Sequence, residues 1–239
     1  LTPEQEAELR RQAFERYDLV SASVVDTDGK LLGRVTVNAV IDFIRNRAES
    51  EARNLAGLSE QEDLFAPIWK SVRNRWAWLA INLVTAFIAS RVIGLFEDSI
   101  EKLVALAALM PIVAGVGGNS GNQTITMIVR ALALGQVSTE NTVKLITKEI
   151  GVSLVNGLLW GGVVGLFTFL IYQNASLGFV MALAMILNLL LAALVGVIIP
   201  LTRKKLGRDP AIGSSVLITA VTDSGGFFIF LGLATLLLL

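Results

Sequence analysis

The 239-residue chain contains no cysteine and no histidine. Those two absences exclude disulfides, thiol nucleophiles, the common zinc sites and histidine acid–base chemistry, and with them most hydrolase mechanisms. An intramembrane metalloprotease falls with its HExxH helix, and no Walker motif provides for nucleotide hydrolysis. Charge is also scarce, at 17% of residues against 54% hydrophobic, with a mean hydropathy of +0.66. Such a composition is unusual for a soluble domain and places most of the chain in lipid. The first residue is Leu1, and no basic segment followed by a short apolar core marks a signal peptide. The start therefore reads as the middle of a larger protein.

The formal net charge of zero hides an uneven distribution, because residues 1–75 hold 11 Lys/Arg and 13 Asp/Glu while the rest hold 9 and 7. A charged piece precedes an apolar one. Residues 1–45 read as an amphipathic helix from Glu4 to Arg16, a strand at Ser23–Val25, a turn at Asp26-Thr27-Asp28-Gly29, a strand at Leu31–Val35 and a helix at Asn38–Arg45. This order resembles the second half of a CBS motif, and half a module cannot bury a core alone. CBS pairs often hold a ribose with a Thr and an Asp three residues later. Here Thr36 is followed by Ala39, which weakens the case for nucleotide at this half.

From Ala48 to Lys70 the sequence is acidic and helix-compatible, with Glu49, Glu51, Glu60, Glu62 and Asp63. Pro67 and a cluster of Lys70, Arg73, Arg75, Trp76 and Trp78 follow, a pairing of cations and indoles suited to a cytoplasmic membrane boundary. About 20 helical residues cross a hydrocarbon core of roughly 30 Å. On that scale the remainder divides into five crossings: Ala77–Phe96, Leu103–Leu134, two within 150–202 joined near Gln173–Gly178, and Ala211–Leu239. Arg73, Arg75, Arg130, Lys144, Lys148, Arg203, Lys204, Lys205 and Arg208 all fall on one side, which predicts a cytoplasmic N-terminus and an external C-terminus. The predicted fold is an all-α membrane protein with five transmembrane helices over 76–239, preceded by a partial α/β CBS-like segment over 1–46 and a linking helix over 47–75.

Two features inside the spans carry chemistry. Asp223 is the only ionisable side chain from Ala211 to Leu239. A carboxylate at such depth costs roughly 2.5–3.5 kcal/mol to insert, so it is retained where it meets water, an ion or a partner charge. The competing explanation is a buried ion pair with Arg91 or Arg130. The second feature is "PIVAGVGGNSGNQ", Pro111 to Gln123. Pro111 and the glycines predict a kinked or opened helix, and broken backbone at membrane depth lines a water-filled cavity or is buried in protein. Asn119, Asn122 and Gln123 add groups able to hold a hydrated ion. Gly117-xxx-Gly121 also fits a helix contact, as does Gly157-xxx-Gly161-xxx-Gly165, while Asn82, Asn156 and Asn188 read as interhelical hydrogen bonds.

These motifs resemble the MgtE family of magnesium transporters and channels. The family's proline and GGN-x-G-x-Q pattern is matched by Pro111, Gly117, Gly118, Asn119, Gly121 and Gln123. Asp209-Pro210 ahead of "TAVTDSGG" is a second match. The resemblance implies that Asp223 is the pore aspartate, that the Thr219 carbonyl one turn earlier is a second ion contact, and that Asn122 and Thr222 lie along the path. It further implies a homodimer with the pore on its two-fold axis, Mg2+ as the transported and regulatory ion, and closure by cytoplasmic Mg2+ bridging acids such as Glu49, Glu51, Glu60, Glu62 and Asp63. The expected partners are a second copy and the bilayer of a cell membrane, with no nucleic acid. Two other readings are a transporter of cobalt, manganese or sodium, and a CBS-linked membrane receptor without flux.

Overall fold

The computed structural model describes residues 10, 12–55, 57–58, 65–133, 136–137 and 141–239. They form two compact units, the first ending at Asn54 and the second beginning at Leu55. The first holds an antiparallel hairpin of β1 (Ser21–Val25) and β2 (Leu31–Thr36), followed by α1 (Val37–Leu55). The turn closes because Asp26 Oδ1 accepts hydrogen bonds from the Asp28 and Lys30 amides, while Gly29 takes the left-handed φ of 79°. The expected strand–turn–strand–helix order is thus observed. Phe14 and Val40 are buried, whereas Val20, Leu31, Leu32 and Ile41 remain exposed. Most apolar side chains among the described residues of this unit are at least partly exposed.

The expected boundary at residue 46 lies inside a helix. α1 runs without interruption to Leu55, so the first part of the acidic linker is its C-terminal half, and a new helix starts after Pro67. The segment 47–75 is therefore not one separate helix. Glu49 and Glu51 belong to α1, while Glu60, Glu62 and Asp63, like most of the predicted Glu4–Arg16 helix, lie outside the described residues.

The second unit is helical: α2 (Ile68–Gly94), the short α3 (Glu97–Lys102), α4 (Ala105–Ala133), α5 (Thr142–Tyr172), α6 (Ala175–Lys205) and α7 (Ser214–Leu238). Four of these, α2, α5, α6 and α7, are long and apolar enough to cross a membrane. The fifth expected crossing, α4, is 29 residues long, but "GGNSGNQ" in its middle dilutes its apolar character. Nor is α4 opened at this point: it is an unbroken α-helix through Pro111 and all four glycines. Pro111 sits in the second turn, so it removes a single hydrogen bond near the helix start.

The core lies where α4, α6 and α7 meet. Leu106, Leu109 and Val113 of α4, Met181, Met185 and Leu189 of α6, and Phe230 and Leu231 of α7 form its main cluster. The glycine seam on α5 is a packing face: a Cβ at Gly161 would stand 2.8 Å from Ala182 O, and one at Gly165 2.7 Å from Gly178 O. Gln173, in the left-handed region at φ 50°, ends α5, and Asn174 caps α6 by accepting from Leu177 N at 3.0 Å. α2 packs chiefly along α7, and little of it is buried. Asn82 and Asn156 do not join helices, because each amide bonds a carbonyl four residues earlier in its own helix.

Candidate ion pathway

The residues of interest come from α4 and α7. Gly118 faces Thr222, Gly121 faces Ile218, and Asn122 is bonded to Ser215. The order reverses between the two chains of contacts, so the helices are antiparallel. One residue onward from the Gly118/Thr222 contact turns a side chain by about 100° on each helix, and in an antiparallel pair both turns go the same way. Asn119 and Asp223 therefore lie on the same side of the α4/α7 pair. Asn119 is exposed and Asp223 half-buried, and Gly115, Gln123 and Thr126 continue the exposed side along α4.

This polar side divides the motif. Pro111, Asn119 and Gln123 are exposed and Asn122 is half-buried, whereas Gly117, Gly118 and Gly121 are buried. The absence of a Cβ at two of the glycines admits neighbours: Gly117 the amide of Asn188, and Gly121 the side chain of Ile218. Thr222 also belongs to the packed side. It is fully buried, and its hydroxyl donates to Ile218 O at 2.9 Å and Thr219 O at 3.3 Å. Thr222, expected along the path, points its side chain toward Gly118 of α4. The Thr219 carbonyl is correspondingly engaged within α7.

No Lys or Arg among the described residues forms a salt bridge with Asp223. The ion-pair explanation with Arg91 or Arg130 has no support in this geometry. No cluster of three acidic side chains fit to hold a metal occurs among the described residues. Asp223 therefore offers a single carboxylate, on the same side of the α4/α7 pair as the amide of Asn119. Glu49, by contrast, already faces two cations of its own helix, Arg45 at 3.2 Å and Arg53 at 3.9 Å. Such exposed pairs contribute little, roughly 0.2–0.5 kcal/mol each.

Further side chains that no motif marks link the helices. Ser215 Oγ donates to Asn122 Oδ1 at 2.9 Å, Asn188 Nδ2 donates to Val113 O at 2.8 Å, and Thr124 Oγ1 donates to the buried Glu149 at 3.3 Å. Ser215 is one of many serines in sequence, and Glu149 follows Lys148 at a helix end, where a solvated pair would be expected. Ser215 is distinguished only by its bond to Asn122, and Glu149 by its burial.

Long apolar helices, with a carboxylate that has no salt-bridge partner among the described residues, define a multi-pass membrane protein with a polar side shared by α4 and α7. Residues 110–233 match the MgtE family of divalent cation transporters. The chain is 32% identical over 231 residues to the magnesium transporter MgtE of Bacillus subtilis, covering 97% of this chain and 51% of that protein. It is 32% identical to the magnesium transporters MgtE of Enterococcus faecalis, over 94% of this chain and 49% of the relative, and of Thermus thermophilus, over 93% and 50%. The chain belongs to the MgtE family, and it spans about half the length of the curated relatives it matches.

Proposed function

We propose that this chain forms the membrane part of a channel or transporter that passes Mg2+ into the cytoplasm down its electrochemical gradient. The observation that carries the reading is Asp223, a carboxylate without a cationic partner among the described residues, on the polar side shared by α4 and α7. Mg2+ dehydrates reluctantly and is usually held by one or two carboxylates through a retained water shell. In a homodimer with its pore on the two-fold axis, two copies of Asp223 supply two carboxylates, and Asn119, Asn122, Gln123 and Ser215 hydrogen-bond the water shell. In this reading α4 is the fifth crossing, tolerated because its polar side faces the pore. An inside-negative potential drives a divalent ion inward with roughly 4.6 kcal/mol per 100 mV, from about 2.3 per unit charge.

The orientation follows from the basic residues at one set of helix ends, with the hairpin unit in the cytoplasm. That unit is read as the end of a CBS module, and the acids from Glu49 to Asp63 as the groups through which cytoplasmic Mg2+ closes the pore. The test is Mg2+ uptake into proteoliposomes under an inside-negative potential, comparing the protein with Asp223→Asn. Uptake should disappear in a variant that still folds and dimerises. Equal uptake in both would remove Asp223 from the ion path.

A further inference from the structure

Asn188 is fully buried near the middle of α6, where an apolar side chain of similar volume would leave no polar atom to satisfy. An amide in that position needs a reason beyond filling space. Its Nδ2 reaches across to Val113 O of α4 at 2.8 Å. The same amide occupies the space that a Cβ would take at Gly117 of α4 and, 2.7 Å away, at Gly226 of α7. One side chain thus stands where three helices meet, and its Oδ1 has no hydrogen-bond partner.

The places it touches are those that matter for the path. Val113 lies just after Pro111, whose ring removes an intrahelical donor, and just before Gly115, Gly117 and Gly118, which are poor helix formers. Asn188 gives this weak stretch of α4 a second donor from outside the helix. Gly226 follows Asp223 by three residues, so the amide also backs the turn of α7 that carries the carboxylate. We propose that Asn188 is a positioning residue for ion passage: it holds the proline–glycine stretch of α4 helical and fixes how closely the Asp223 turn approaches it, without touching the ion. The inference rests on the reading of Asp223 as the ion site.

The test uses the full chain in proteoliposomes, with Asn188→Leu as the main variant and the pair Gly117→Ala/Asn188→Ala as the second. Leucine keeps the volume and removes the donor; the paired variant moves a methyl group into the vacated space. Both are read by thermal stability in detergent, by maximal uptake and by the Mg2+ concentration giving half of it. The expected result is a variant as stable as the parent in which maximal uptake or half-saturation changes by about tenfold or more, as small misplacements of a reacting geometry do. A stably folded variant of either kind with the parent's uptake and half-saturation overturns the inference. Should Asn188→Leu not fold, the paired variant decides by the same criterion, and failure of both with full recovery in Asn188→Gln, which keeps the amide at the wrong length, overturns it too. Asp223→Asn runs alongside: uptake it does not diminish overturns the ion-site reading itself, and this inference with it.

Discussion

The hydroxyl of Ser215 donates to Asn122 Oδ1 at 2.9 Å, tying the first turn of α7 to the polar stretch of α4 across 93 residues of sequence. A hydrogen bond of this kind contributes about 0.5–1.5 kcal/mol. Ser215→Ala and Asn122→Ala should each destabilise the protein, and the double variant should cost less than their sum. Thermal or chemical unfolding in detergent measures the coupling. A cycle that closes on zero would mean that the bond does not hold the helices together.

The glycines of α5 separate into two groups. Cβ atoms at Gly161 and Gly165 would meet carbonyl oxygens of α6 at 2.8 and 2.7 Å, whereas Gly151 and Gly162 have open space. Gly161→Ala and Gly165→Ala should therefore cost about 1–3 kcal/mol by overpacking. Gly162→Ala should be neutral or gain up to about 1 kcal/mol, since glycine weakens a helix interior. Comparing melting temperatures across the three single variants tests this, and equal losses at all three would refute the seam.

Asn174→Ala removes the cap that accepts from Leu177 N and should lose about 1 kcal/mol of stability. Gln173→Gly next to it should not destabilise, because φ at this residue is 50° and glycine adopts that conformation without steric cost. A larger loss at Gln173 than at Asn174 would contradict the observed turn.

Glu149 is buried and accepts from the Thr124 hydroxyl at 3.3 Å. Glu149→Gln retains an acceptor for Thr124 and should be tolerated better than Glu149→Ala, which leaves the hydroxyl unpaired at a cost of about 1–3 kcal/mol. Unfolding of the two variants under one set of conditions gives the comparison, and equal stability would show that Thr124 does not depend on the carboxyl group.

Much of the architecture was legible because it rests on local rules. Alternation and turn chemistry located the hairpin, and uncharged length located α5 and α6 with a break near Gln173–Gly178. What failed were inferences that needed a neighbour. Pro111 and four glycines argue for a broken helix until α6 and α7 are seen pressed into the gaps at Gly117, Gly121 and Gly226. Asn82, Asn156 and Asn188 look alike in sequence, yet only Asn188 reaches another helix. Asp223 stood out because a lone charge in an apolar run is conspicuous by itself. Glu149 did not, since a flanking lysine disguises a carboxylate whose burial depends on α4.

The two-residue break between Tyr172 and Ala175 bears on how the protein is made. Two helices of 31 residues each, joined so tightly and fitted along a glycine seam, have only one way to fold back on each other. The contacts along the seam run between α5 and α6 themselves, at Gly157, Gly161 and Gly165, so the pairing of these two helices needs nothing from α7. The hairpin so formed offers α7 the surface that carries Asn188 and Leu189, and α7 meets it at Gly226, one turn after Asp223.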